Sequence, residues 1–223
     1  MRHPIVERLP AVVTGAARTY GRAMPRTTEP RSRDRWLLRA ADLVRLSLVA
    51  GVVTALVMGQ PVQAFRFVIV LLLTLGARWL RVPRPFGLAL TVTLAVETWG
   101  RLLGLYQAWD PFDEVIHLVL MGCLAPLVYL LMARVELVPE LRDLDRMHQR
   151  VALPLLGGIL GLAIGAAWEV YEWFAVTYLD ADVITAYGDA MTDLVVDFIG
   201  AALGGGLLIL WAHRRWPSTY DPR

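Results

Sequence analysis

Seven carboxylates, one histidine and one arginine sit at helical spacing inside or at the mouth of long apolar stretches of this chain. They are Asp113 and His117, Glu169 and Glu172, Asp189, Asp193 and Asp197, and Glu97 with Arg101. An ionisable side chain at the centre of a membrane helix costs about 2.5–3.5 kcal/mol even on insertion scales. So dense a set of oxygen donors with a single imidazole suits a divalent cation: Mg²⁺, Mn²⁺, Fe²⁺, Ca²⁺ or Zn²⁺. The carboxylates outnumber the basic groups, so they require either shared protons or a bound ion. Glu169, Glu172, Asp189, Asp193 and Asp197 are the expected metal ligands. Asp113 and His117, one helical turn apart, are the expected acid–base pair. Glu97, Arg101 and Trp168 are expected to meet a substrate. Blander readings stand beside these. Glu97 and Arg101 are spaced to pair with each other, Asp113 is placed to cap a helix, and the whole set would serve as polar glue between helices.

The elements that carry these residues are readable from composition. Of the 223 residues 57% are apolar, above the roughly 45–50% of soluble domains, which points to the bilayer. A net charge of +2 gives no reason to expect nucleic acid. All 22 basic residues are arginine, and the single Cys123 excludes an intrachain disulfide. Six apolar segments approach the roughly 20 residues a spanning helix needs. They run over about 41–58, 62–80, 86–106, 113–133, 152–174 and 188–212. The expected fold is therefore an all-α polytopic membrane bundle of about six helices over 36–213. Flanking it are an Arg-rich tail over 1–35, with no signal-peptide h-region, and a short tail over 214–223. Within 138–151, Leu141, Leu144, Met147 and Val151 recur at helical spacing, the pattern of a short amphipathic surface helix.

Arginine placement predicts the orientation. The N-terminal tail, the RVPRP turn over 81–85, the 134–150 loop and the C-terminal tail all carry Arg. The three alternate connections carry none, so both termini are expected in the cytoplasm. On that topology the acids of four helices fall in one layer, the outer half of the membrane, beside aromatic residues such as Trp99, Tyr106, Trp109 and Trp173. Asp189, Asp193 and Asp197 span about 80° of one helix face, and Gly200 and Gly204 share it. Gly157, Gly161 and Gly165 share a side with Glu172 on the preceding segment. Two antiparallel small-residue faces predict a close crossing, with Gly161 near Gly204, that opens toward the carboxylates.

Metalloprotease and serine-elbow motifs are absent from the sequence: it has neither His-Glu-x-x-His nor Gly-x-Ser-x-Gly. The runs GLYQAWDPFDEVIHLVLMG (104–122), AAWEVYEWF (166–174) and GDAMTDLVVDFIGAALGG (188–205) resemble the YjdF-like bacterial inner-membrane proteins. The resemblance covers about the C-terminal half and, more loosely, the six-span layout. It places an aspartate–histidine pair on Asp113 and His117 and a Trp-Glu-x-x-Glu segment on Trp168, Glu169 and Glu172. An Asp-x-x-Gly-Ala ending falls on Asp197, Gly200 and Ala201. A more distant likeness is to VanZ-like proteins, which have Gln at the position of Glu172 and often Asn near Asp197. These resemblances imply a multi-pass protein of the bacterial inner membrane, with a link to the cell envelope.

The functional expectation is a metal-dependent hydrolase or transferase acting on a lipid or lipid-linked envelope substrate, which alone reaches that layer laterally. Two other classes remain open: a cation or proton transporter, and a non-catalytic membrane assembly protein.

Overall fold

The computed structural model describes residues 32–139, 141, 146–179 and 186–214. The expected terminal tails, apart from their few residues adjoining the bundle, lie outside these. The chain is an all-α polytopic membrane protein. Its helices are α1 (Ser32–Val57), α2 (Pro61–Trp79), α3 (Arg84–Leu103), α4 (Leu105–Ala108), α5 (Phe112–Arg134), α6 (Arg146–Leu179) and α7 (Tyr187–Arg214). Six of them, all but the single turn α4, are long and apolar enough to cross a bilayer.

Local chemistry sets the breaks between helices. Gly59 takes a left-handed φ of 71° after α1, and Pro61 opens α2 at a position where its missing N–H costs nothing. The turn from α2 to α3 holds Arg81 at φ 52°, an uncommon conformation for a residue with a side chain. Arg134 at the end of α5 fixes that turn by donating to the carbonyls of Leu80 and Arg81. Gly104, at φ 73°, ends α3 before Tyr106, earlier than the apolar run alone suggests. Buried hydroxyls in α3 are satisfied without a partner helix. Thr91, Thr93 and Thr98 donate to the carbonyls of Gly87, Ala89 and Leu94, one turn back.

Helices α1, α2 and α3 pack on one another, as do α5, α6 and α7, and α3 joins the two groups through α5. One apolar core lies within the first group around Leu48, Phe67 and Ala95. The other runs from Phe86 and Leu90 of α3 to Met121, Leu130, Ala201 and Leu208. The outward faces are also apolar, with Leu43, Leu46, Phe65, Leu72, Val195 and Leu203 exposed, as lipid contact requires.

Two expectations need correction. Among the described residues the surface helix over 138–151 is not seen as a separate element. Leu141 is buried in the core, and 146–151 are the first turns of α6. Residue 140 and residues 142–145, which include Leu144, lie outside the described set. The glycine crossing is also partitioned differently. Gly200 and Gly204 turn to α5, where an added Cβ would overlap the carbonyl oxygens of Leu118 and Gly122. It is Ala201 and Gly205 that meet α6: a Cβ on Gly157 would stand 2.7 Å from the Ala201 oxygen and 3.6 Å from Gly205 Cα. A Cβ on Gly161 would overlap Ala201 Cβ. Neighbouring positions on a helix are 100° apart, so α7 carries two small-residue seams and is wedged between α5 and α6.

Candidate functional site

The α5–α7 and α6–α7 seams converge on Asp197, which is fully buried two and a half turns into α7. Its carboxylate occupies the space that a side chain at Gly165 of α6 would fill. From there Asp197 Oδ1 reaches His117 Nδ1 of α5 at 3.0 Å. The other imidazole nitrogen, Nε2, is 3.7 Å from Asp113 Oδ1. Asp193, one turn nearer the start of α7, is likewise buried. One ligand atom each from Asp113, His117 and Asp193 lies within 4.8 Å of the others. Among the described residues these three make a group that could hold a cation.

Unpartnered oxygens surround it. Asp193 Oδ1, Asp197 Oδ2, Glu169 Oε1 and Glu114 Oε2 are buried with no hydrogen-bond partner. Buried polar atoms are rarely left so, and a cluster of four acceptors calls for protons or a cation. Glu169 is within Coulombic reach of His117, Asp189, Asp113 and Asp197. Asp189 sits in the first turn of α7 at the mouth. Asp113 does not cap α5. The N-cap position is Pro111, and Asp113 and Glu114 lie in the first turn, where the helix dipole favours negative charge.

A second, adjoining network ties α3 to α6. Arg101 Nε donates to Glu97 Oε1 at 2.7 Å, and its Nη2 donates to Glu172 Oε1 at 3.2 Å. Thr98 Oγ1 also lies 2.9 Å from the other Glu97 oxygen, which competes with the Leu94 carbonyl for its one proton. The guanidinium lies over the Tyr106 ring, 4.5 Å from its centroid. Burial, and after it the Glu97 carboxylate, push the Tyr106 phenol well above its usual range, so the ring meets Arg101 uncharged. Glu172 is thus held by Arg101. Trp168 is half-buried and packs on Tyr171, with ring centroids 5.7 Å apart.

The aromatic residues divide between two settings. Trp109, Tyr171, Trp173 and Tyr178 are exposed around this end of the bundle, while Phe112 is buried, its ring seated against the bare backbone of Gly100. Trp99 packs inside the first helix group, edge-on to Phe67 at 5.1 Å. Sequence reasoning missed Glu114 as a half-buried acid with one buried oxygen, Tyr106 as the seat of Arg101, and Gly165 as the recess for Asp197. Glu114 had a readable signal in its place beside Asp113 at a helix start.

Comparison with curated proteins and with solved structures gave no match. One family model, described as Predicted membrane protein (DUF2238), matches residues 36–215. That match takes in all six spans and the whole acidic site, and the chain belongs to this family of membrane proteins.

Proposed function

We propose that this protein is a metal-dependent hydrolase or transferase of the bacterial inner membrane, acting on a lipid or lipid-linked envelope substrate. Its termini would lie in the cytoplasm and its acidic site would open to the outer leaflet. The observation that carries the reading is the stacking of Asp197 behind His117. In the tautomer that donates Nδ1–H to Asp197, Nε2, 3.7 Å from Asp113 Oδ1, keeps a lone pair for a ligand. A carboxylate behind a histidine in this way is the usual outer support of a metal-ligating imidazole.

Asp113, His117 and Asp193 would hold the ion, and the unpartnered Glu169 oxygen and Asp189 would be drawn on to complete the donor set. A hard divalent ion among such ligands supplies Lewis acidity and lowers the pKa of bound water. Asp113 is half-buried, and its second carboxylate oxygen, the one not on the ion, would accept a proton there. The role we assign to Asp197 is to orient His117. Arg101 and Glu97, with Trp168 on the adjoining helix, form the wall a polar headgroup would meet. The resemblance to YjdF-like and, more distantly, VanZ-like proteins supports an envelope substrate.

Transport through the Asp ladder needs a continuation beyond Asp197. Close backbone packing argues against it, since Gly200 and Gly204 abut carbonyls of α5 and Gly157 and Gly161 abut α7. An assembly role predicts that neutralising single acids removes the protein from the membrane and leaves no folded variant to assay.

The test is metal content after purification in detergent and re-equilibration with each of the divalent ions Mg²⁺, Mn²⁺, Fe²⁺, Ca²⁺ and Zn²⁺. Wild type is expected to retain a stoichiometric ion, and folded Asp193→Asn to lose it. Retention of no ion by wild type, or of the same amount by Asp193→Asn, sinks the proposal.

A further inference from the structure

A second polar centre lies at the opposite end of α3, seventeen residues from Arg101 and so about 25 Å along the helix axis. Here α1, the end of α2 and the start of α3 border an open cleft of about 50 Å³. Arg45, Arg78, Arg81 and Arg84 line it together with apolar residues that include Leu38 and Val82.

The arginines are arranged ahead of any ligand. Asp42 accepts from Arg78 Nη1 at 2.6 and 2.8 Å and from Arg45 Nη1 at 2.8 Å, holding two guanidinium groups side by side. Arg45 is buried, with Nη2 donating to the Thr74 carbonyl at 3.0 Å and Nε lacking a partner. Arg81 is held left-handed by the Arg134 clamp, and Arg84 starts α3. Four guanidinium side chains are thus brought to one cleft, a concentration of positive charge and N–H groups of the kind that phosphate oxygens accept from.

Depth identifies the kind of phosphate. Trp79, between Arg78 and Arg81, is 82% exposed, and Trp36 near the start of α1 is also exposed. Exposed tryptophans at helix ends mark the membrane–water interface, where lipid headgroups lie. We propose that this cleft binds the phosphate of an anionic lipid headgroup, separately from the acidic site.

Native mass spectrometry of the full chain, released from detergent and titrated with phosphatidylglycerol or phosphatidylcholine, tests this. Wild type is expected to retain phosphatidylglycerol preferentially. Arg78→Gln/Arg81→Gln changes two exposed side chains and, by removing charge-assisted bonds, should weaken retention by about tenfold or more. Arg81→Gln alone leaves the Asp42 pairs intact and should give a smaller loss. Arg66→Gln, at the other end of α2, makes the same charge change as Arg81→Gln and should have no effect. Equal retention of the two lipids, or full retention by the double variant, overturns the proposal. So does an Arg66→Gln loss matching that of Arg81→Gln. Displacement of the lipid by millimolar inorganic phosphate would identify a free-anion site and overturn the lipid assignment.

Discussion

At the scale of the residue, the neighbours of Asp197 decide what it can do. The carboxylate has one oxygen on His117 and one with no partner, in a recess that exists because residue 165 is glycine. Asp197→Asn keeps the shape, removes the charge behind the imidazole, and is expected to weaken metal binding by about 10–100-fold in calorimetric titration. Asp193→Asn removes a ligand and should abolish binding. Gly165→Ala places a methyl group on the Asp197 carboxylate, and we expect it to cost about 1–3 kcal/mol in SDS-unfolding titrations as well as the bound ion. The spacing of Asp113 with His117 and of Asp193 with Asp197 was legible as faces. The pairings between helices were not. A four-residue interval puts two side chains on one stripe but does not say which stripe faces which helix. Glu97 and Arg101 pair as their spacing allows, yet Glu172 reaches the same guanidinium from 71 residues away.

At the scale of the element, α7 is a wedge with two seams, and its substitutions should separate by face. Gly204→Ala drives a methyl group into the Gly122 carbonyl, part of a backbone that has little room to shift. It should lower stability by about 1–3 kcal/mol or part α5 from α7 altogether. Gly206 has open space where its Cβ would go, and Gly206→Ala should be neutral or gain up to about 1 kcal/mol from helix propensity. Thermal unfolding in detergent, read on the two variants together, checks the contrast. The six spans were legible because a run of about 20 apolar residues has few other uses. The division of the small residues into two seams was not, because Gly200 and Ala201 differ by 100° in phase while a broad polar-and-small arc covers both. Pro126 adds to the α5 seam. It has no N–H to give the carbonyl one turn back, which is the Gly122 carbonyl that Gly204 approaches.

At the scale of the whole molecule, two three-helix groups meet along α3, and Arg101 is the charged tie between α3 and α6. Arg101→Met would leave Glu97 and Glu172 facing each other without a cation, whereas Glu172→Gln leaves the Glu97 pair intact. The arginine variant is expected to lose several kcal/mol, against at most about 1–3 for Glu172→Gln, by the same SDS titration. Arginine placement made the two polar ends legible as a pair of opposed surfaces. The cleft at the basic end was not, because Arg45 lies 33 residues from Arg78 in the sequence and is brought to it only by the packing of α1 on α2. The position of α7 also has a consequence for synthesis. The helix that Asp113, His117, Gly122 and Glu169 depend on follows them in the chain, so α5 and α6 enter the bilayer before their partner exists. Until α7 arrives, their polar groups depend on water, on lipid headgroups or on the insertion machinery. A nascent chain halted before Tyr187 should therefore crosslink to that machinery through position 117, and the full-length chain should not.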